Sequence, residues 1–529
     1  MGNNWEEATY TVNKILNGID SKIVSGIPPK NMSYFYAIPG NKTVTLKYDL
    51  PADTYIDGQL ICTVKGVRIV KKQGSAPIGP EDGLIILEKD RVNYLGPENY
   101  TDKDVSNGIA YYYGFFPYSD HGIYNFNEVN ILRAIPSAIK YWAFDQNFAD
   151  KNPLTTITYP SDFQNSSYTK MMTNEGQGTA TAGSWLSFLQ TVLKNYPYMV
   201  KRNGKIDYAL SPGDYTKKDD GSSPSDYSNQ LYNGGAFAWI NKIYMKETYS
   251  SDGNSREVQF ADKAADGFSP VGFYDFDENE LEGIWLPMGY MDANGTSIVS
   301  GTTPISNHTC AEEKALIDAF SERAVFLGGP ILRVLRDLEY MLFKTTDIQL
   351  YAGNGRSNSS ILANAAVPNG NVQGWKGTNT KNVMNKYFHS QVLGSYQVAL
   401  RDPYTILIAG KMYANPYYQY SLEAAKYTDT GIAITTNSAW TYPTHMTKMG
   451  TNLGSIPKQA STGSTSTGLC DGYPQGNASG TRVSRTLGYY NGNMVDGPAN
   501  VSFYYADTDK RATGGAAILL LPPVGYTPS

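Results

Sequence analysis

RVSRTLGYYNGNMVDGPANVSFYYADTDKRATGGAAILLLPPVGY, residues 482–526, sets the reading of the chain. Ala516 to Leu521 is a continuous apolar run, which suits a strand buried on both faces, and Pro522 and Pro523 stop it. Before it, Tyr489, Tyr490, Asn491, Asn493, Tyr504 and Tyr505 fall in a turn-rich segment. A rigid core strand is therefore expected beneath an adaptable polar and aromatic surface. Tyr gives contact area at low entropic cost and Asn gives flexible hydrogen bonding, the mixture used by binding loops. The same composition also fits a Tyr-rich sandwich edge.

Working outward, 529 residues exceed one hydrophobic core and imply three or four domains. Tyr accounts for 42 residues while charged residues make up only 18%, which points to a β-leaning chain with an exterior type of surface. A net charge of -5 without a Lys/Arg block gives no electrostatic footprint for nucleic acid. The N-terminal MGNNWEEATYTVNKILNG has no apolar h-region, and no run of eighteen apolar residues occurs, so neither a signal peptide nor membrane insertion is expected. Cys62, Cys310 and Cys470 are odd in number and lack a CxxC, so no disulfide framework or zinc site is expected, and folding in a reducing cytoplasm fits. An exterior-type surface without an export signal suggests release in an assembled particle, a virion made in the bacterial cytoplasm.

Residues 4–24 place Trp5, Ala8, Val12, Ile15, Ile19 and Ile23 at helical steps, with Asn4 and Glu7 in capping-box spacing. This is expected to be an amphipathic helix over 1–28 that oligomerises or docks, or that folds against the next domain. After Pro28 and Pro29, the runs TVTLKYDLP, GQLICTVKGVRIVKK, GLIILEK and GIAYYYGFFPY alternate with turn residues at sandwich-like spacing. The segment TDKDVSNGIAYYYGFFPYSDHGIYN resembles the end of a fibronectin type III or related immunoglobulin-like domain, which implies a seven-stranded sandwich over 29–135. Such domains act as spacers or docking modules.

Residues 136–265 read as a β-rich connecting region. In it, KRNGKIDYALSPGDYTKKDDGS and YNGGAFAWINKIYMKETY resemble a segment recurrent in tail-fibre and other virion structural proteins of phages infecting gut bacteria. DGFSPVGFYDFDENELEGIWLPMGYMDANG resembles the opening of a C-type-lectin-like domain in those proteins. The order continues with Thr309 and Glu312 in capping-box spacing before one helix, and with Pro330 opening a second whose stripe is Leu332, Leu335, Leu338, Met341 and Leu342, followed by Gly353 and Gly355. The final RTLGYYNGN and GGAAILLLPP resemble the last strands of such domains. The fold class expected is thus mainly β with some α: an N-terminal helix, a β-sandwich, a β-rich middle segment and an α+β C-type-lectin-like domain over 266–529.

Little in the sequence carries catalytic chemistry. Asp275, Asp277, Glu278, Glu280 and Glu282 crowd one turn without EF-hand spacing, and read as a solvated acidic turn. Calcium-dependent lectins of this fold use Glu-Pro-Asn or Gln-Pro-Asp with Trp-Asn-Asp; none of these triplets is present, so the resemblance does not extend to calcium-mediated sugar binding. His121, His308, His389 and His445 have no second ligand at metal spacing, and no nucleophile motif appears. No metal, no cofactor and no enzymatic activity are expected.

Binding remains. Tyr faces stack on sugar rings and Asn or Asp bond hydroxyls, so Tyr473, Tyr489, Tyr490, Asn491, Asn493, Tyr504, Tyr505 and Asp507 are the expected ligand-binding residues; the same residues also suit a neighbouring subunit. The resemblance implies a bacteriophage tail-fibre or head-fibre protein: other virion proteins held through the N-terminal region, a host cell-surface glycan or protein bound by the C-terminal domain, and a trimer or dimer for avidity. The alternatives are a capsid or tail decoration protein with no receptor role, and a polysaccharide depolymerase.

Overall fold

The computed structural model describes residues 27–528, apart from 95, 174–179, 182–183, 353–387, 397, 437–439, 459–462, 473–475 and 489–495. The helix expected over 4–24 and the glycines at 353 and 355 lie outside the described residues. The fold is mainly β with few helices. The chain forms two compact units, 1–139 and 140–529.

In the first unit, β1 (Phe35–Gly40), β2 (Thr43–Tyr48) and β7 (Glu98–Asp102) form an antiparallel sheet in the order β1-β2-β7. A second sheet contains β5 (Val64–Gln73), β6 (Leu84–Asp90), β8 (Tyr111–Ser119) and β9 (Ile131–Ala134) in the order β6-β5-β8-β9. β3 (Thr54–Ile56) and β4 (Gln59–Cys62) make a separate hairpin. The period of two along β2 sends Val44, Leu46 and Tyr48 into a core shared with Val67 and Ile69 of β5 and Tyr113 and Phe115 of β8. The two sheets are also tied by a buried ion pair, Lys71 on β5 to Asp102 on β7 at 3.0 Å, with the Tyr113 hydroxyl donating to the same carboxylate at 2.9 Å. Burying these polar groups is tolerable because each has its partner.

The second unit is organised by a seven-stranded antiparallel sheet with the spatial order Asp214–Lys218, Ile206–Ser211, Tyr196–Lys201, Gly234–Asn241, Gly283–Pro287, Ile518–Leu520, Ala324–Phe326. Ile518–Leu520 is internal, between 283–287 and 324–326, and Ile518, Leu519 and Leu520 are all fully buried, as the apolar run predicts. Trp239 and Trp285 are cross-strand partners with ring centroids 4.8 Å apart. Gly283 is required beside them, since a Cβ there would lie 2.2 Å from the Trp239 ring. The boundary expected at 265/266 is corrected: this sheet joins strands from both sides of it, and one core runs from Trp142 to Leu521. Two larger sheets and two two-stranded ribbons, 172–173 with 180–181 and 446–448 with 455–457, accompany it. Of the larger two, one holds Tyr141–Asn147 and Ser255–Ala261, and the other centres on Ala399–Ile408 and Thr481–Leu487.

The two longest helices among the described residues lie between the strands. Cys310–Phe320 begins at the expected capping box: the Glu312 amide donates to Thr309 Oγ1 at 3.2 Å and the Thr309 amide to Glu312 Oε2 at 2.8 Å. Gly329–Phe343 carries Pro330 in its first turn, where the missing N–H has no intrahelical bond to make. Its expected apolar stripe is present, but the rest of the helix is not a solvent face. All fifteen residues are buried, Arg333, Arg336, Asp337 and Glu339 included, because the 255–261, 399–408 and 481–487 strands supply residues that pack around it.

Candidate functional site

Of the residues expected to bind ligand, Tyr473, Tyr489, Tyr490, Asn491 and Asn493 lie outside the described residues. Tyr504 and Tyr505 are neighbours with edge-to-face rings 5.1 Å apart. Tyr504 is 38% exposed. Tyr505 is half-buried, with the guanidinium carbons of Arg485 and Arg511 at 4.6 and 4.8 Å from its ring centre, which occupies it in cation–π contact. Asp507 works through its backbone: its carbonyl accepts from the Cys310 amide at 2.9 Å and from Arg401 Nη1 at 3.4 Å. Among the described residues of this region Tyr504 is the exposed tyrosine, next to Arg482, whose Nη1 donates to the Tyr504 carbonyl at 3.3 Å.

Beneath Tyr505 lies a fully buried ionic pair, Glu313 Oε2 and Arg401 Nε at 2.8 Å. Arg401 also donates to the carbonyls of His308 and, at 2.6 Å, Asp509, so it fastens the start of the 310–320 helix to the 507–509 segment. Burial pushes the Glu313 carboxyl up to about 7 against the pull of Arg401. This end of the cluster is thus a framework rather than an open site.

The acidic turn also differs from expectation. Asp275 is buried and accepts from the amides of Asp277 and Asn279 at 3.0 and 2.8 Å. Glu280 and Glu282 hold Lys242 Nζ at 2.6 and 3.3 Å. The turn is a closed hydrogen-bonded loop in which these carboxylates already have partners.

A surface groove of about 570 Å³ opens elsewhere on the second unit, lined by Lys201, Asn203, Asp207, Asn229, Leu231 and Tyr232 among others. It forms where the end of the 196–201 strand and the 206–211 strand meet the loop leading into the 234–241 strand. Asp207 is its fixed point, accepting from Lys201 Nζ at 3.0 Å and from the Tyr232 hydroxyl at 3.1 Å. Asn229 is oriented by Asp226 at 3.0 Å, and Asn203 by the Lys205 amide at 3.1 Å. Leu231, 93% exposed, stands among these polar groups. The arrangement offers an aromatic side chain, an apolar contact and several amides and charges held in place by each other, which is the chemistry of a polyhydroxylated ligand site. Sequence reasoning nominated none of these residues. The Asn-Gly steps at 203–204 and 233–234 mark the two turns, but not that they converge.

Reactive chemistry is weakly represented. Burial pushes the Cys310 thiol up to about 12 and raises those of Cys62 and Cys470, the opposite of an activated nucleophile. His389 meets the Tyr215 hydroxyl at 2.6 Å and His445 meets Thr444 Oγ1 at 2.7 Å, and the two lie far apart in the sequence. Among the described residues no three His, Cys, Asp or Glu are placed to hold a metal ion, and no helix is long and apolar enough to cross a membrane. No protein-family model matches the chain, and no curated protein matches it in sequence.

Proposed function

We propose that this chain is a non-enzymatic bacteriophage virion appendage protein, of a tail or head fibre, held on the particle through its N-terminal region and binding a host-surface saccharide through its C-terminal body. The virion assignment rests on the sequence resemblance of the passages within 201–249 and of residues 266–529. The order of an opening strand at 283–287, two helices, and a closing strand at 518–520 paired against the opening one supports a C-type-lectin-like reading of the last half. The observation that carries saccharide binding is the groove around Asp207, Tyr232 and Asn229, a preformed polar site with an aromatic side chain.

The test is binding of the full chain to host cells and to a glycan array. Replacing Asn229, Tyr232 and Asn233 together by Ala removes contacts of about 1 kcal/mol each, so single-site affinity should fall ~100-fold. A second variant, Tyr489, Tyr490 and Tyr504 to Ala, probes the aromatic cluster nominated from sequence. Loss in the first variant supports the groove, and loss in the second alone moves the site to the C-terminal cluster. Full-strength binding by both, with folding intact, refutes saccharide recognition by either surface.

A decoration role without a receptor is the second reading, and one observation favours it. Of fourteen large apolar side chains exposed among the described residues, nine lie on the first unit, including Ile78 at 86% and Val92 at 90%. Such a surface suits docking to other virion proteins. Particle incorporation of the chain with no cell binding would select this reading.

A further inference from the structure

Inside the second unit a small cavity of about 20 Å³ lies between the 329–343 helix and the 481–487 strand, lined by Leu332, Arg333, Asp402, Ser484, Thr486 and Val501 among others. Ser484 and Thr486 are two apart on one strand, so their side chains share the face turned toward the helix. Three side-chain atoms of these lining residues are buried with no protein partner: Arg333 Nη2, Ser484 Oγ and Thr486 Oγ1. Their residues are 6%, 0% and 9% exposed. The rest of the Arg333 guanidinium is engaged, Nε with the Leu453 carbonyl at 2.5 Å and Nη1 with Thr405 Oγ1 at 3.1 Å, while Asp402 stands 3.9 Å away. An orphaned N–H on a buried cation is costly, and two orphaned hydroxyls beside the same small void repeat the same deficit.

We propose that this cavity is a binding site for one internal water molecule, held by Arg333, Ser484 and Thr486. The volume exceeds the roughly 10–15 Å³ that one water needs, and three polar partners match the number a buried water usually has. One water engages all three groups: it accepts from Arg333 Nη2 and from one hydroxyl, and donates to the oxygen of the other hydroxyl. Its role is to complete the solvation of Arg333, the cation most weakly paired on the buried helix, and so to join helix and sheet.

A crystal structure of the full chain at about 2 Å or better tests this directly. The expected result is one isolated density peak within hydrogen-bonding distance of all three groups. An empty cavity overturns the proposal, as does an anomalous peak there after a bromide soak, which would make it an anion site. In solution, Ser484→Ala and Thr486→Val should each release the same water, so the double variant should lose clearly less in Tm than the sum of the two single losses. Strictly additive losses overturn it. If either variant fails to fold, the density in the parent protein decides.

Discussion

Asp337 is the most heavily loaded carboxylate on the buried helix, and its replacement by Asn is the sharpest test of how that helix is held. It accepts from Arg256 Nη2 at 2.7 Å and Nη1 at 3.3 Å, and from Arg336 Nε and Nη2 at 3.1 Å each. Arg256, Arg336 and Asp337 are all buried. Asn keeps the shape but removes the charge, and turns an N–H₂ group toward guanidinium donors. Glu247, 2.8 Å from Arg256 Nη1, would then face Arg256 without its second carboxylate. Breaking a buried pair from one side costs about 3–5 kcal/mol. For a cooperative body spanning 140–529, an unfolding entropy of about 2 cal/mol/K per residue makes ~4 kcal/mol a fall of about 5 °C in Tm. Differential scanning calorimetry of the full chain reads it, and adding Arg336→Met should recover part of the loss by removing an uncompensated cation. The two arginines hold Asp337 below its ordinary 3.8. Its contribution is therefore present above that value and lost as pH falls through the folded one, so the variant should show a shallower acid decline. A Tm within about 1 °C of the parent at neutral pH would refute the reasoning.

Three other outcomes are expected. Glu313, pushed up to about 7 from 4.5, binds more protons folded than unfolded across that window, so the protein loses stability as pH rises through it; Glu313→Gln should lack this loss, and a variant-minus-parent Tm that stays flat from pH 4.5 to 7.5 would disprove it. Leu519→Asp places an unpaired carboxylate on a fully buried central strand and should cost several kcal/mol, read as a collapse in Tm or solubility; parent-like melting rules out the assignment. Residues 140–529 should fold alone, whereas 266–529 should not, since it lacks the 234–241 strand that pairs with 283–287; a cooperative thermal transition in the shorter piece would contradict the shared sheet.

Local signals were legible in the sequence. The capping box at Thr309 and Glu312, the Pro330 helix start and the buried run ending at Leu521 each depend on residues adjacent in the chain. What was not legible is nonlocal. GPILRVLRDLEYMLF reads as amphipathic, and nothing in it says that Arg256 arrives from another strand to neutralise Asp337. The 265/266 boundary failed for the same reason, because pairing between 234–241 and 283–287 leaves no mark in either segment. The groove suffers similarly. Its Asn-Gly turns are visible, but the meeting of Asn203 with Asn229 is set by strand order.

The internal position of the 518–520 strand also fixes the order in which the protein can be completed during synthesis. Its two neighbours, 283–287 and 324–326, leave the ribosome some two hundred residues earlier. At ~5–20 residues per second that gap lasts roughly 10–50 s. Until the closing strand arrives, two strands of the central sheet present unpaired edges, the kind of surface on which nascent chains associate wrongly. Assembly in a crowded translation field therefore favours slow expression or chaperone cover over that interval, and a stop codon anywhere before 518 leaves the sheet open however much of the chain precedes it.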